Sequence, residues 1–127
     1  MTRYLLDSTF LIDHLRGDPA ARQRFRRLFE EADEPVVNEV VVCEVATGAP
    51  RHPDPDLAAL LEPIEYIQPG PEAAILAGQW RDAVRRRGYQ LSLADALIAV
   101  AADVGGATVL TRNVRDFRPL PVTVETY

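Results

Sequence analysis

Leu93 to Val104 is a helix-length stretch that is apolar almost all round. Only Asp95, near its start, and Asp103, near its end, interrupt it. A helix without a polar face is buried, so the rest of the chain must cover it. Ser92 and Asp95 fit a broad form of the capping box at its beginning, and Gly105-Gly106 ends it.

The segments around this helix alternate between short apolar runs and helical periodicity. Tyr4-Leu5-Leu6 reads as a buried strand closed by Asp7, and Ser8 to Leu15 as a short helix stopped near Arg16-Gly17. Asp18-Pro19 has the chemistry of a helix start, and Phe25, Leu28, Phe29 and Ala32 form one apolar stripe beyond it. Pro35 to Asn38 reads as a second strand and Glu39 to Thr47 as a helix. Residues 49–56 are a proline-rich connector before a short helix, Leu57 to Leu61, and a third strand, Ile64 to Ile67. Pro69-Gly70-Pro71 opens a longer helix whose stripe (Ala73, Leu76, Ala77, Trp80, Val84) is expected in the core; Gly88 ends it. Thr108 to Leu110 and Val122 to Val124 supply a fourth and a fifth strand. Strands alternating with helices predict an α/β fold with a mainly parallel sheet. At 127 residues the chain is expected to be a single domain, 1–127.

Composition removes several chemistries. All 14 basic residues are arginine, so a Walker A loop and a Schiff-base lysine are both excluded. The same lack argues against receiver domains and aspartyl-phosphate phosphatases, which place a lysine near the phosphoryl group. One cysteine, Cys43, excludes an internal disulfide and a cysteine-built zinc site, and His14 and His52 are isolated from one another. No apolar run approaches a membrane span, and the expected compartment is the cytoplasm. The net charge of −5 excludes a generic basic nucleic-acid binder. A polyanionic substrate would need local arginines, such as Arg112, Arg115 or Arg85 to Arg87, together with bound cations.

Sites in open parallel sheets form outside the carboxyl ends of the strands. Asp7 stands at such an end, and Thr111-Arg112-Asn113 follows the fourth strand and leads to Asp116. Glu44 lies in the helix after the second strand, where Glu39 competes with it, and Asp95 opens the buried helix. Four carboxylates converging from separate elements repel one another unless cations neutralise them. Oxygen-only donors suit Mg²⁺ or Mn²⁺, and such ions serve phosphodiester cleavage.

Four segments together resemble the PIN-domain ribonucleases, specifically the VapC-like toxins of bacterial VapBC toxin–antitoxin pairs. Tyr4-Leu5-Leu6-Asp7-Ser8-Thr9-Phe10-Leu11-Ile12 is similar to the first-strand motif of that family. Glu44-Val45-Ala46-Thr47-Gly48 resembles the second, with its acid four residues before a glycine, which favours Glu44 over Glu39. Leu93-Ala94-Asp95-Ala96-Leu97-Ile98-Ala99 resembles the third, and Thr111-Arg112-Asn113-Val114-Arg115-Asp116-Phe117 the fourth. Asn38 departs from a common Ser or Thr, and Val41 from a common Thr.

The resemblance implies a PIN-like three-layer α/β/α sandwich with four to five strands. It implies a metal-dependent endoribonuclease that inhibits translation or growth until its antitoxin neutralises it. Asp7, Glu44, Asp95 and Asp116 would be catalytic acids and ligands of Mg²⁺ or Mn²⁺. Asn113 would support them, and Arg112, Ser8 and Thr111 would lie on the substrate side. The implied partners are RNA, a small cognate antitoxin with a DNA-binding domain that would form a hetero-oligomer with the toxin, and a second copy in a homodimer. The competing reading is a non-catalytic PIN-like interaction module.

Overall fold

A computed structural model describes residues 1–127. Twelve elements follow in order: β1 (Arg3–Leu6), α1 (Ser8–Leu15), α2 (Pro19–Glu30), β2 (Glu34–Val37), α3 (Glu39–Thr47), α4 (Pro55–Leu61), β3 (Glu65–Tyr66), α5 (Pro71–Arg86), α6 (Leu93–Val104), β4 (Thr108–Leu110), α7 (Val114–Phe117) and β5 (Val124–Glu125). The strands form one sheet in the order β3-β2-β1-β4-β5, and every adjacent pair is parallel. Leu5 pairs with Val36 on one side and Val109 on the other. All three are fully buried, as befits a sheet covered on both faces.

The chain first builds outward from β1 through β2 to β3, then returns to place β4 on the other side of β1. Right-handed crossovers put the helices of the outward and return paths on opposite faces, giving the expected layers. α6 packs against both β1 and β4. Its Ala96 and the run Ile98 to Ala102 are buried, whereas Leu93 and Val104 at its ends are exposed. No helix is long and apolar enough to cross a membrane.

Side-chain caps set where several helices begin. The carboxylate of Asp18 accepts from the Ala21 N–H, that of Asp54 from Asp56, and the Ser92 hydroxyl accepts from Asp95 at 3.0 Å. Asn38 is not the last strand residue expected from sequence. It caps α3, accepting from the Val41 N–H at 3.1 Å, and its amide nitrogen reaches the Leu97 carbonyl at 3.4 Å. Asn is as good a cap as Ser or Thr, so this departure from the common residue preserves the local geometry. The same side chain ties α3 to α6.

Other boundaries also shift. β3 and β5 are two-residue strands: β3 lacks one residue at each end of the expected 64–67, and β5 covers 124–125 against the expected 122–124. Each pairs with a neighbour on one side only, so little holds a longer ladder there. α2 stops at Glu30, and Ala32, counted in its stripe, adopts φ +54 in the turn beyond. Phe29 is 44% exposed and leans on Phe25 rather than entering the core. Trp80 is only partly buried. α7 is a single helical turn that sequence periodicity cannot register.

Candidate active site

The connections leaving β1 and arriving at β4 run in opposite directions, so the gap beyond their carboxyl ends is the switch point of this sheet. Asp7 follows β1 and Thr111 follows β4. The Asp7 amide donates to the Leu110 carbonyl at 3.0 Å, which carries the strand pairing up to the site. The Asp7 side chain is buried, and its Oδ2 accepts from the hydroxyls of Thr111 (2.7 Å) and Thr9 (2.9 Å). Both bonds fall on one oxygen, leaving Oδ1 for another partner. A buried carboxylate is stabilised by such donors.

Thr111 is fully enclosed, and its hydroxyl also accepts from the Asn113 N–H at 2.9 Å. It braces Asp7 and turns the chain toward α7, and it does not reach the surface where a substrate would lie. Ser8 is likewise buried, in the first turn of α1. Asn113 is exposed at the start of α7, and its side chain makes no cap bond, so it is free for other contacts.

The other three acids come from three more elements. Asp95 sits in the first turn of α6, Glu44 on α3 and Asp116 on α7. Burial pushes the Asp95 carboxyl up to about 6, and the charges of Asp7, Asp116 and Glu44 push the same way; the nearby Ser92 hydroxyl opposes them. Of the two acids on α3, it is Glu44 whose charge is named among those felt at Asp95. Glu44 and Asp116 are exposed and Asp95 half-buried. The four are near enough to repel, but no three of them stand close enough together to grip a metal ion directly.

Asp95 and Asp116 line an open cleft of about 670 Å³. The end of α5 and the following turn line the same cleft with Arg81, Asp82, Arg85 and Tyr89, Arg85 being paired with Asp82.

Arg112 is not a free cation beside the acids. It bonds through Nη1 to Oδ1 of the buried Asp13, whose Oδ2 accepts from the Tyr127 hydroxyl. Burial and that carboxylate raise the Tyr127 phenol well above its ordinary range. The Arg112 amide also donates to the Thr9 hydroxyl at 3.2 Å. Thr9, Asp13 and Tyr127 therefore support the site. Sequence reading missed Asp13 and Tyr127 because their partners lie about a hundred residues away; Thr9 lies within the first motif, two residues from Asp7, and its bond to that carboxylate is seen only in the fold. Arg112→Ala should destabilise the protein by about 1–3 kcal/mol, since it strips a buried carboxylate of its cation. Adding Asp13→Asn should recover part of that loss, read by urea denaturation of the single and double variants.

A family model described as "PIN domain" matches residues 4–121. "Ribonuclease VapC19" of Mycobacterium tuberculosis is 31% identical, with 92% of this chain and 94% of that protein covered. The "tRNA(fMet)-specific endonuclease VapC" of Salmonella typhimurium is 27% identical, with 95% and 94% covered. Among solved structures, VapBC2 from Rickettsia felis bound to a promoter DNA fragment superposes with a TM-score of 0.84 at 18% identity, covering 99% of both chains. DNA-bound VapBC from Salmonella typhimurium gives a TM-score of 0.80 at 26% identity, covering 99% and 98%.

Proposed function

Because the chain belongs to the PIN-domain family, in its VapC-like branch of ribonuclease toxins, we propose that its acidic cleft binds a divalent cation and hydrolyses phosphodiester bonds in RNA. The observation that carries this reading is the gathering of acids from separate places in the fold, Asp7 after β1, Glu44 on α3, Asp95 on α6 and Asp116 on α7, near enough that the other three charges are felt at Asp95. Assembling like charges costs free energy and is sustained when a cation offsets it.

The donor set fits Mg²⁺ or Mn²⁺. All four side chains offer hard oxygen atoms, and Asp7 keeps one oxygen free. Their spread is compatible with Mg²⁺, which retains several waters and takes one or two carboxylates directly. When bound, such an ion supplies an activated water and stabilises charge developing on the phosphate oxygens.

The chain's own residues supply orientation. Thr9 and Thr111 fix the Asp7 carboxylate, and the Ser92 cap fixes the first turn of α6 and with it Asp95. The Asn38 bridge to Leu97 holds α3, and so Glu44, against α6. Asn113 offers a neutral donor and acceptor beside Asp116. Arg81 and Arg85 in the same cleft offset the repulsion a phosphate chain would meet from the acids.

RNA as the substrate is supported by the relatives' names, a ribonuclease and a tRNA-specific endonuclease. The VapBC complexes solved with DNA support an antitoxin partner in a hetero-oligomer with this chain; action as a toxin in the cytoplasm, a small antitoxin with a DNA-binding domain and a homodimer of this chain belong to the same proposal. The test is cleavage of RNA by the purified protein with Mg²⁺ or Mn²⁺, with and without EDTA. Cleavage that stops on chelation is expected. Cleavage undiminished by EDTA would overturn the metal assignment, and none with either ion would favour a non-catalytic module.

A further inference from the structure

We propose that Tyr89 is a stacking platform for an unpaired base next to the cut phosphate. The proposal rests on the nuclease reading only for which bond is cut. The Tyr89 ring is 53% exposed and lines the same cleft as Asp95 and Asp116. Exposure alone is not distinctive, since Tyr66 is equally exposed; what sets Tyr89 apart is that its flat face stands in the cleft that holds the acids.

Its backbone is held firmly. Gly88 closes α5 with φ +88, in the region that favours glycine, and the Tyr89 N–H returns to the Val84 carbonyl at 3.1 Å. Two residues on, Arg81 Nε holds the Leu91 carbonyl at 3.1 Å, and Ser92 then caps α6. Three residues after that cap comes Asp95. Tyr89 and the acidic floor are thus joined by a short segment pinned at both ends. A ring placed in advance loses little freedom on binding.

The surroundings suit a nucleotide. Arg87 lies 5.6 Å from the centre of the Tyr89 ring, an arrangement that favours stacking on the opposite face. Asp82 holds both Arg85 and Arg86. A guanidinium held by a single carboxylate keeps N–H groups free for phosphate. Aromatic rings beside cations are the general means of binding single strands, because every base has a stacking face. A base inside a duplex is already stacked and cannot use the ring.

The test is binding of a short unstructured fluorescent oligoribonucleotide, and of the same sequence as a duplex, in EDTA so that nothing is cut. Tyr89→Ala should weaken the single strand by about tenfold and leave the duplex within about twofold. Tyr89→Phe should bind like the parent. Arg85→Gln should lower the salt slope by about 0.7, and Tyr89→Ala should leave it unchanged. Equal affinity of Tyr89→Ala and parent for the single strand, equal losses on both probes, or a loss shared by Tyr89→Phe would overturn the proposal. Binding without cleavage on adding Mg²⁺ or Mn²⁺ would overturn the nuclease reading and leave this one standing. Cleavage with normal single-strand binding by Tyr89→Ala would do the reverse.

Discussion

Asp7→Asn should fold, melt no lower than its parent without metal, and cut RNA at least about a hundredfold more slowly. Asn has the shape of Asp, and its carbonyl oxygen can still accept from Thr9 and Thr111. The packing of the buried side chain is therefore kept. What disappears is one negative charge and one metal ligand at the switch point of the sheet. Losing a charge from a self-repelling group does not destabilise the fold, whereas losing a ligand removes the means of activating water. The comparison is a thermal melt of both proteins beside a cleavage time course with Mn²⁺. Full activity in a folded Asp7→Asn protein would remove Asp7 from the chemistry.

A second large effect is expected at Asp95, and its sign depends on pH. In the unfolded chain its carboxyl titrates near 3.8, and in the folded protein at about 6. The folded state thus holds its proton more tightly. Its contribution to stability is complete below pH 3.8 and is lost as pH rises through 6. Without metal, Asp95→Asn should match the parent near pH 4 and exceed it at pH 7. The gain should be about 1–2 kcal/mol once solvent screening at this half-exposed position is allowed for. That corresponds to roughly 3–8 °C in melting temperature. Mg²⁺ should raise the melting temperature of the parent and not that of Asp95→Asn, because only a folded site with its ligands intact gains from the ion. Ser92→Ala separates capping from ligation. It should cost about 0.5–2 kcal/mol, yet keep both the response to Mg²⁺ and the cleavage. An undiminished Mg²⁺ response in Asp95→Asn would make Asp95 a helix cap and nothing more.

These expectations show where the chain was readable. Asp7 and Asp95 stand out because each carboxylate adjoins a run that must be buried, and a charge there needs a reason. The parallel sheet was readable because Tyr4 to Leu6 in β1 and Val109-Leu110 in β4 are apolar runs and α6 has no polar face. The edges were not: β3 and β5 are paired on one side only, so pairing sets their length more than side-chain pattern does. Phe29 fits a helical stripe in sequence, but α2 runs at the rim of the core and leaves that position half outside. Asp13 and Tyr127 carry no local signature. Their meaning lies in bonds that span 99 and 114 residues, which no window of sequence can contain. Arg112 could be read as a phosphate ligand from its neighbours alone, and only the fold reveals the carboxylate that holds it.

The position of β4 beside β1 governs when the acids of the site come together as the chain is made. A ribosome adds about 5–20 residues per second and releases the N-terminal end first. Asp7 emerges at once, but the hydroxyl that braces it belongs to residue 111 of 127, and Asp116 follows later still. Until then β1 has β2 on one side and an open edge on the other. A half-made chain therefore carries its acids without the geometry that joins them. The geometry that joins the four acids is therefore complete only when nearly the whole chain has been made.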